Sequence, residues 1–190
     1  FEEPIESYEE AVKTVISASS VNTDERNILV AHQFVISGMN QPQQSDSEAI
    51  SVGGLDHVDA SVFDDFDYVA LGHLHGPQPM GQDWIRYAGS PLKYSFSEAR
   101  HTKSMTMVEL GDKGEISIEQ IPLAPLRDLR EIKGPIKELI SIGSEDAGGT
   151  MDYIHAILTD EEEIYDAIGQ LRQVYPNLMA LDLENSRTQQ

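Results

Sequence analysis

The sequence predicts a mixed α/β (α+β) chain, and three observations carry that prediction. Apolar residues recur at helical spacing in two windows, residues 7–20 and 161–174. Short apolar runs such as Ile28-Leu29-Val30-Ala31 and Tyr68-Val69-Ala70-Leu71 read as strands covered on both faces. Beyond Pro122 and Pro125 the pattern alternates strand, helix, strand, helix, strand, which is a compact βαβαβ unit. The prolines therefore mark a boundary, with one domain over residues 1–122 and a smaller one over residues 123–190.

Ser7 and Glu10 form an S-x-x-E capping box at the first helix. Tyr8, Ala11, Val12, Val15 and Ile16 then make one stripe expected to be buried. Residues 27–35 are expected to be one central strand, ending near His32. Residues 37–54 are a long polar loop, a length that often carries function. Asp56, Asp59, Asp64 and Asp65 follow and read as a solvated acidic face, with His57 on the surface. Residues 84–88 form a short strand. Met105-Thr106-Met107-Val108-Glu109-Leu110 and Ile116-Ser117-Ile118-Glu119-Gln120-Ile121 flank Gly111-Asp112-Lys113-Gly114, a hairpin with Ile116 and Ile118 facing in. In the βαβαβ unit, Pro135 opens a short helix through Ile140. Thr159 or Asp160 is expected to cap the second helix, with Glu161, Glu162 and Glu163 at its positive end. Ile164, Ala167, Ile168, Leu171 and Val174 make that helix's buried stripe.

Composition sets limits on function. The chain has 190 residues, 39% of them hydrophobic, and no cysteine. Disulfides, thiolate metal sites and cysteine nucleophiles are therefore excluded. No apolar run approaches the ~20 residues of a membrane span, and no signal-peptide pattern opens the chain. A cytoplasmic protein is expected. The start at Phe1-Glu2-Glu3-Pro4, without an initiator Met, is expected of a piece of a longer protein. A net charge of −20 counts against a simple basic patch for nucleic acid. It does not count against an enzyme that meets phosphates through bound cations.

One stretch stands out chemically: Asp67-Tyr68-Val69-Ala70-Leu71-Gly72-His73-Leu74-His75. A buried strand runs into a Gly-flanked turn with histidines at i and i+2. In extended chain His73 and His75 would point the same way, an arrangement suited to binding a metal through neutral imidazoles. His32 ends the other apolar strand. If the two strands lie parallel, His32, His73 and His75 all emerge at the carboxyl edge, where ligands gather in α/β sheets. Taken alone, His32 reads better as a hydrogen-bonded structural residue, and the His73–His75 pair reads equally well as two surface histidines on a loop. A second group, Lys93, Tyr94, Arg100 and Lys103, could position phosphates. It reads better as sheet-packing aromatics with ordinary surface cations.

Leu29-Val30-Ala31-His32-Gln33-Phe34-Val35, the G-H-x-H stretch, and Tyr87-Ala88-Gly89-Ser90-Pro91-Leu92-Lys93-Tyr94-Ser95-Phe96-Ser97-Glu98 resemble the SbcD-type nuclease subunits of the calcineurin-like metallophosphoesterase superfamily. The resemblance continues through Pro122-Leu123-Ala124-Pro125-Leu126-Arg127-Asp128 and Thr159-Asp160-Glu161-Glu162-Glu163. G-H-x-H marks only the superfamily; the Gly89-to-Glu98 block and the unit after Pro122 narrow it. The resemblance implies the second half of a metallophosphoesterase β-sandwich with flanking helices, followed by a small capping domain that positions DNA. It implies two divalent metals, manganese first, with His32 and His73 on one and His75 on the other. Two cations ~3.5–4 Å apart would activate water and neutralise charge in phosphodiester displacement. It also implies DNA ends and hairpins as substrates, an ATPase partner of the structural-maintenance type, roles in DNA repair, recombination and replication, and a homodimer.

The family's D-x-H, G-D-x-x-D and G-N-H-D motifs occur nowhere in this sequence. Three ligands of a site that needs more remain, so the chain alone is expected to be inactive. The Ile28–Ala31 and Tyr68–Leu71 strands are expected to expose apolar area where the other half would pack. Two alternatives stay open: a metallophosphoesterase acting on nucleotides or phosphoproteins, and a non-catalytic docking or dimerisation module. The absence of H-E-x-x-H argues against a zinc peptidase.

Overall fold

Strand β1 (Ile28–His32) lies parallel to β4 (Tyr68–Gly72), pairing Ile28 with Tyr68 and His32 with Gly72. This is seen in a computed structural model of the chain, which describes residues 4–48, 57–146 and 149–188. The expected parallel arrangement of the two histidine-bearing strands is therefore present. The chain divides into two compact units. One comprises Phe1–Leu92 and His101–Leu123, the other Lys93–Arg100 and Ala124–Gln190.

In the first unit, β4 is central in a four-stranded sheet. β1 lies on one side, and β6 (Gln82–Tyr87) and then β5 (Gln78–Met80) on the other. β6 is parallel to β4, and β5 is antiparallel to β6. β1 is thus an edge strand among the described residues, not the central strand its composition suggests. Ile28 is 55% exposed and Val30 79%. Period-two alternation places Ile28, Val30 and His32 on this same exposed face. The exposure of apolar area on β1 is as expected; Tyr68 on β4, by contrast, is buried.

Residues 27–35 do not form one strand. The ladder stops at His32, and β2 (Phe34–Ile36) pairs in parallel with β3 (His57–Asp59) in a separate two-stranded sheet. The cause is Tyr87, whose fully buried hydroxyl accepts the Val35 N–H at 2.6 Å and donates to the Gln33 carbonyl at 3.1 Å. Those main-chain groups are satisfied by a side chain and so leave the ladder. Helix α1 (Tyr8–Ala18) is capped as expected, Ser7 Oγ accepting the Glu10 N–H at 3.1 Å. Glu10 reaches back to the Glu6 N–H, one residue beyond the usual box partner. Only part of its stripe is covered. Val12 and Ile16 pack on the core, whereas Tyr8 and Val15 are exposed.

Asp59 is a cap. It accepts from Ser61 and from the Gly38 N–H, and those bonds hold its carboxyl below the usual range, the Ser61 hydroxyl contributing most. Asp64 and Asp65 are exposed, as expected; Asp56 lies outside the described residues. The hairpin β7 (Ser104–Leu110) and β8 (Ile116–Pro122) is antiparallel, with Ile116 and Ile118 inward as expected. The core of this unit gathers Val35, Val58, Phe63, Val69, Leu71, Leu74, Ile85 and Tyr87.

The second unit contains the βαβαβ order. β9 (Leu129–Gly134), β10 (Tyr153–Leu158) and β11 (Leu178–Leu183) form a parallel sheet with β10 central. Helix α2 (Ile136–Glu145) runs five residues further than expected, and Pro135 is its N-cap. Helix α3 (Ala167–Arg172) is shorter and begins later than expected. Its cap is Asp166, in left-handed conformation and accepting the Gly169 N–H. Asp160 instead takes the Ile136 N–H at 2.9 Å and so caps α2 from across the unit. Of the α3 stripe, Leu171 is buried while Ile168 is 44% exposed.

Candidate metal site

The carboxyl ends of β1 and β4 bring His32 and His73 together. Their ring centres are 5.5 Å apart, edge to face, with Phe34 edge-on to His73 at 6.1 Å. His32 leans across its ladder partner Gly72. A Cβ on residue 72 would lie 2.7 Å from His32 Nδ1. Any larger residue would have to push that ring aside, so glycine at 72 is what lets the His32 ring lie there.

His73 is not extended. β4 stops at Gly72, and His73 turns with φ +98°. This region is uncommon for a side-chain-bearing residue and costs on the order of 1–3 kcal/mol. The two-residue alternation expected for His73 and His75 is therefore broken at its first member. Leu74 still points into the core, 2% exposed.

His75 is held separately. Its Nδ1 is 2.8 Å from Ser47 Oγ, and its main-chain N–H donates to Glu48 Oε1 at 2.5 Å. Its carbonyl accepts from Ser90 N–H at 3.1 Å and from Lys103 Nζ at 2.9 Å. Among the described residues, no three His, Asp or Glu side chains converge closely enough to hold a metal by themselves.

The donor chemistry nevertheless fits a divalent transition-type cation. Two imidazoles sharing one cation, with bonds of ~2.0–2.1 Å, place their ring centres roughly 5 Å apart. The His32–His73 spacing of 5.5 Å is of that size. Imidazole nitrogens suit zinc, copper, iron or nickel, and manganese where oxygen ligands join them. His32 is exposed and His73 half-buried, so the pair is open to a cation and to further ligands.

Sequence reasoning missed three contributors, Ser47 and Glu48 in the polar loop and Tyr87, which bonds Gln33 and Val35, and it gave Lys103 a different role. Loop length was the only signal for the first two, and a lone tyrosine gave none. The Lys93 and Lys103 ammonium groups are turned into the protein. Lys93 donates to the Ala99 carbonyl at 2.7 Å and to Asp128 at 3.0 Å. These two are neither phosphate-facing nor ordinary surface cations. Tyr94 is 61% exposed. In the second unit, His155 sits between Asp182 at 2.8 Å and Glu131 at 3.2 Å, with the Phe96 ring against it. Among the described residues, no helix is long and apolar enough to cross a membrane.

Comparison with known proteins agrees with the residue-level reading. Residues 125–190 match the family model SbcD_C, described as the type 5 capsule protein repressor C-terminal domain. Over 180 residues the chain is 34% identical to the SbcD subunit of the nuclease SbcCD from Staphylococcus epidermidis, an alignment covering 93% of this chain and 47% of that relative. The chain is therefore similar to SbcD-type nuclease subunits, carries the SbcD C-terminal domain pattern at residues 125–190, and spans about half the length of the curated relative it matches.

Proposed function

We propose that this chain is part of a metal-dependent DNA nuclease subunit that hydrolyses phosphodiesters at DNA ends and hairpins. The observation that carries the reading is the His32–His73 pair at the carboxyl edge of parallel strands, 5.5 Å apart over Gly72. His32 and His73 would hold one divalent cation, and His75 would contribute to a second. Manganese is the first candidate. Bound cations supply activation of water and neutralisation of charge on the phosphodiester. The chain's own part is to fix imidazoles. The β1–β4 ladder sets His32 over Gly72, Phe34 backs His73, and Ser47 and Glu48 orient His75.

The remaining ligands would come from the part of the parent protein that corresponds to the unmatched half of the relative. The exposed face of Ile28 and Val30, which His32 shares, is where that part would pack. The 190 residues alone would then be inactive. An SbcC-type ATPase is the proposed partner, in keeping with the name of the relative. A second copy of the subunit and a role in DNA repair, recombination and replication complete the reading.

A nuclease assay on linear and hairpin duplex DNA with manganese tests it. The parent subunit should cleave, and His73→Ala should reduce cleavage more than 100-fold, while the 190-residue chain should release no nucleotide. Robust manganese-dependent cleavage by the 190 residues would refute the split site. Wild-type cleavage by the His73→Ala parent would refute the metal role.

A further inference from the structure

Lys103 is 5% exposed, an unusual place for an ammonium group. Burying a charge is costly unless strong acceptors meet it, and an apolar side chain would fill the same volume more cheaply. Within its own unit the Lys103 ammonium donates to the His75 carbonyl at 2.9 Å and to Ser90 Oγ at 2.9 Å. Ser90 closes the arrangement. Its N–H donates to the same His75 carbonyl at 3.1 Å, and its hydroxyl donates to the Leu92 carbonyl at 2.7 Å. Gly89, at φ +78°, passes so close that a Cβ there would lie 2.9 Å from the His75 carbonyl oxygen and from Pro77 N. The Lys103 carbonyl in turn accepts the Leu123 N–H at 2.8 Å, which fixes its own backbone. The His75 main chain is thus gripped at its carbonyl by Lys103 and Ser90, and at its N–H by Glu48.

We propose that Lys103 is the positioning residue of His75. Its ammonium pins the carbonyl oxygen of His75 against the Gly89–Ser90 turn, and so sets the main-chain course that carries the His75 imidazole to its metal. The proposal rests on the reading of His75 as a metal ligand.

Two NMR readouts on the 190-residue chain test it. The first is amide hydrogen exchange in the wild type, Lys103→Met and Ser90→Ala. Both variants should exchange at least tenfold faster at the Ser90 and His75 amides, with Val69 and Ile154 unchanged within twofold. The chain has no cysteine. Lys103→Cys can therefore be alkylated with bromoethylamine while unfolded, which restores an ammonium of near-lysine length. Slow exchange should return. The second is broadening of imidazole signals by millimolar Mn²⁺. In Lys103→Met the Mn²⁺ concentration needed to broaden His75 should rise at least tenfold, with that for His32 and His73 unchanged. Wild-type exchange at Ser90 and His75 in a folded Lys103→Met chain would overturn the proposal, while wild-type broadening would leave the metal reading standing. If Lys103→Met does not fold, unchanged exchange in Ser90→Ala overturns it equally. Failure of Mn²⁺ to broaden His75 in the wild type would overturn the ligand reading of His75, and with it this proposal.

Discussion

The imidazole of His32 occupies the space a side chain on residue 72 would need, its Nδ1 2.7 Å from where the Cβ of Gly72 would lie. The two are ladder partners on parallel strands, so the contact follows from register and from the absence of a side chain at 72. Gly72→Ala should therefore displace the ring without unfolding the chain. His32 is exposed and its ring can swing outward, so the cost should stay within about 1 kcal/mol. Chemical denaturation reads the stability, and ring-to-ring NOEs between His32 and His73 read the geometry. Intact NOEs in Gly72→Ala would show that the ring is not held there.

Tyr87 fixes the chain just beyond His32. Tyr87→Phe leaves the buried Val35 N–H without its acceptor and should cost about 1–3 kcal/mol. The same hydroxyl gives an alkaline signature. Burial pushes its pKa up to about 12, against the opposing bond from Val35. The native state then keeps a proton that the unfolded chain releases near pH 10. The associated stability is complete below pH 10 and is lost as pH rises through 12. Urea midpoints between pH 9 and 11 should fall in the wild type more steeply than in Tyr87→Phe. Equal slopes would contradict the assignment.

The exposed face of β1 predicts self-association of the isolated chain. Ile28 and Val30 are 55% and 79% exposed on an edge strand, a combination that favours pairing with another surface or edge. Sedimentation velocity should show concentration-dependent association that Ile28→Thr with Val30→Thr reduces. The parent subunit, with that face covered, should be insensitive to the pair of changes. A monomeric wild-type chain at all concentrations would count against an uncovered face.

Much of the architecture was legible where local pattern and tertiary context agree. The β7–β8 hairpin, the βαβαβ order and the parallel β1–β4 pairing follow from alternation, turn residues and apolar runs. The departures each have a physical source. Ile28 to Ala31 reads as doubly covered, yet Ile28 and Val30 are exposed, because composition does not record a strand's place in its sheet. The break at Gln33 depends on a tyrosine 54 residues away, which no local window contains. Asp160 is a competent cap by type, yet it serves α2 rather than the helix that follows it. At the strand ends, the meeting of His32 and His73 was legible from residue type and position. The turn at His73, the separate holding of His75 and the buried Lys103 were not, because each depends on main-chain groups brought together only by the fold.

Metal content after manganese loading decides whether these histidines belong to a two-cation site. The 190-residue chain and the parent subunit, each passed through a desalting column, should be measured by plasma emission. About two metals per parent subunit are expected, in keeping with a two-cation site, and little in the 190-residue chain. His73→Ala with His75→Ala should abolish uptake in the parent. A parent subunit that retains no metal, or one whose uptake survives loss of both histidines, would contradict a two-cation site at these histidines.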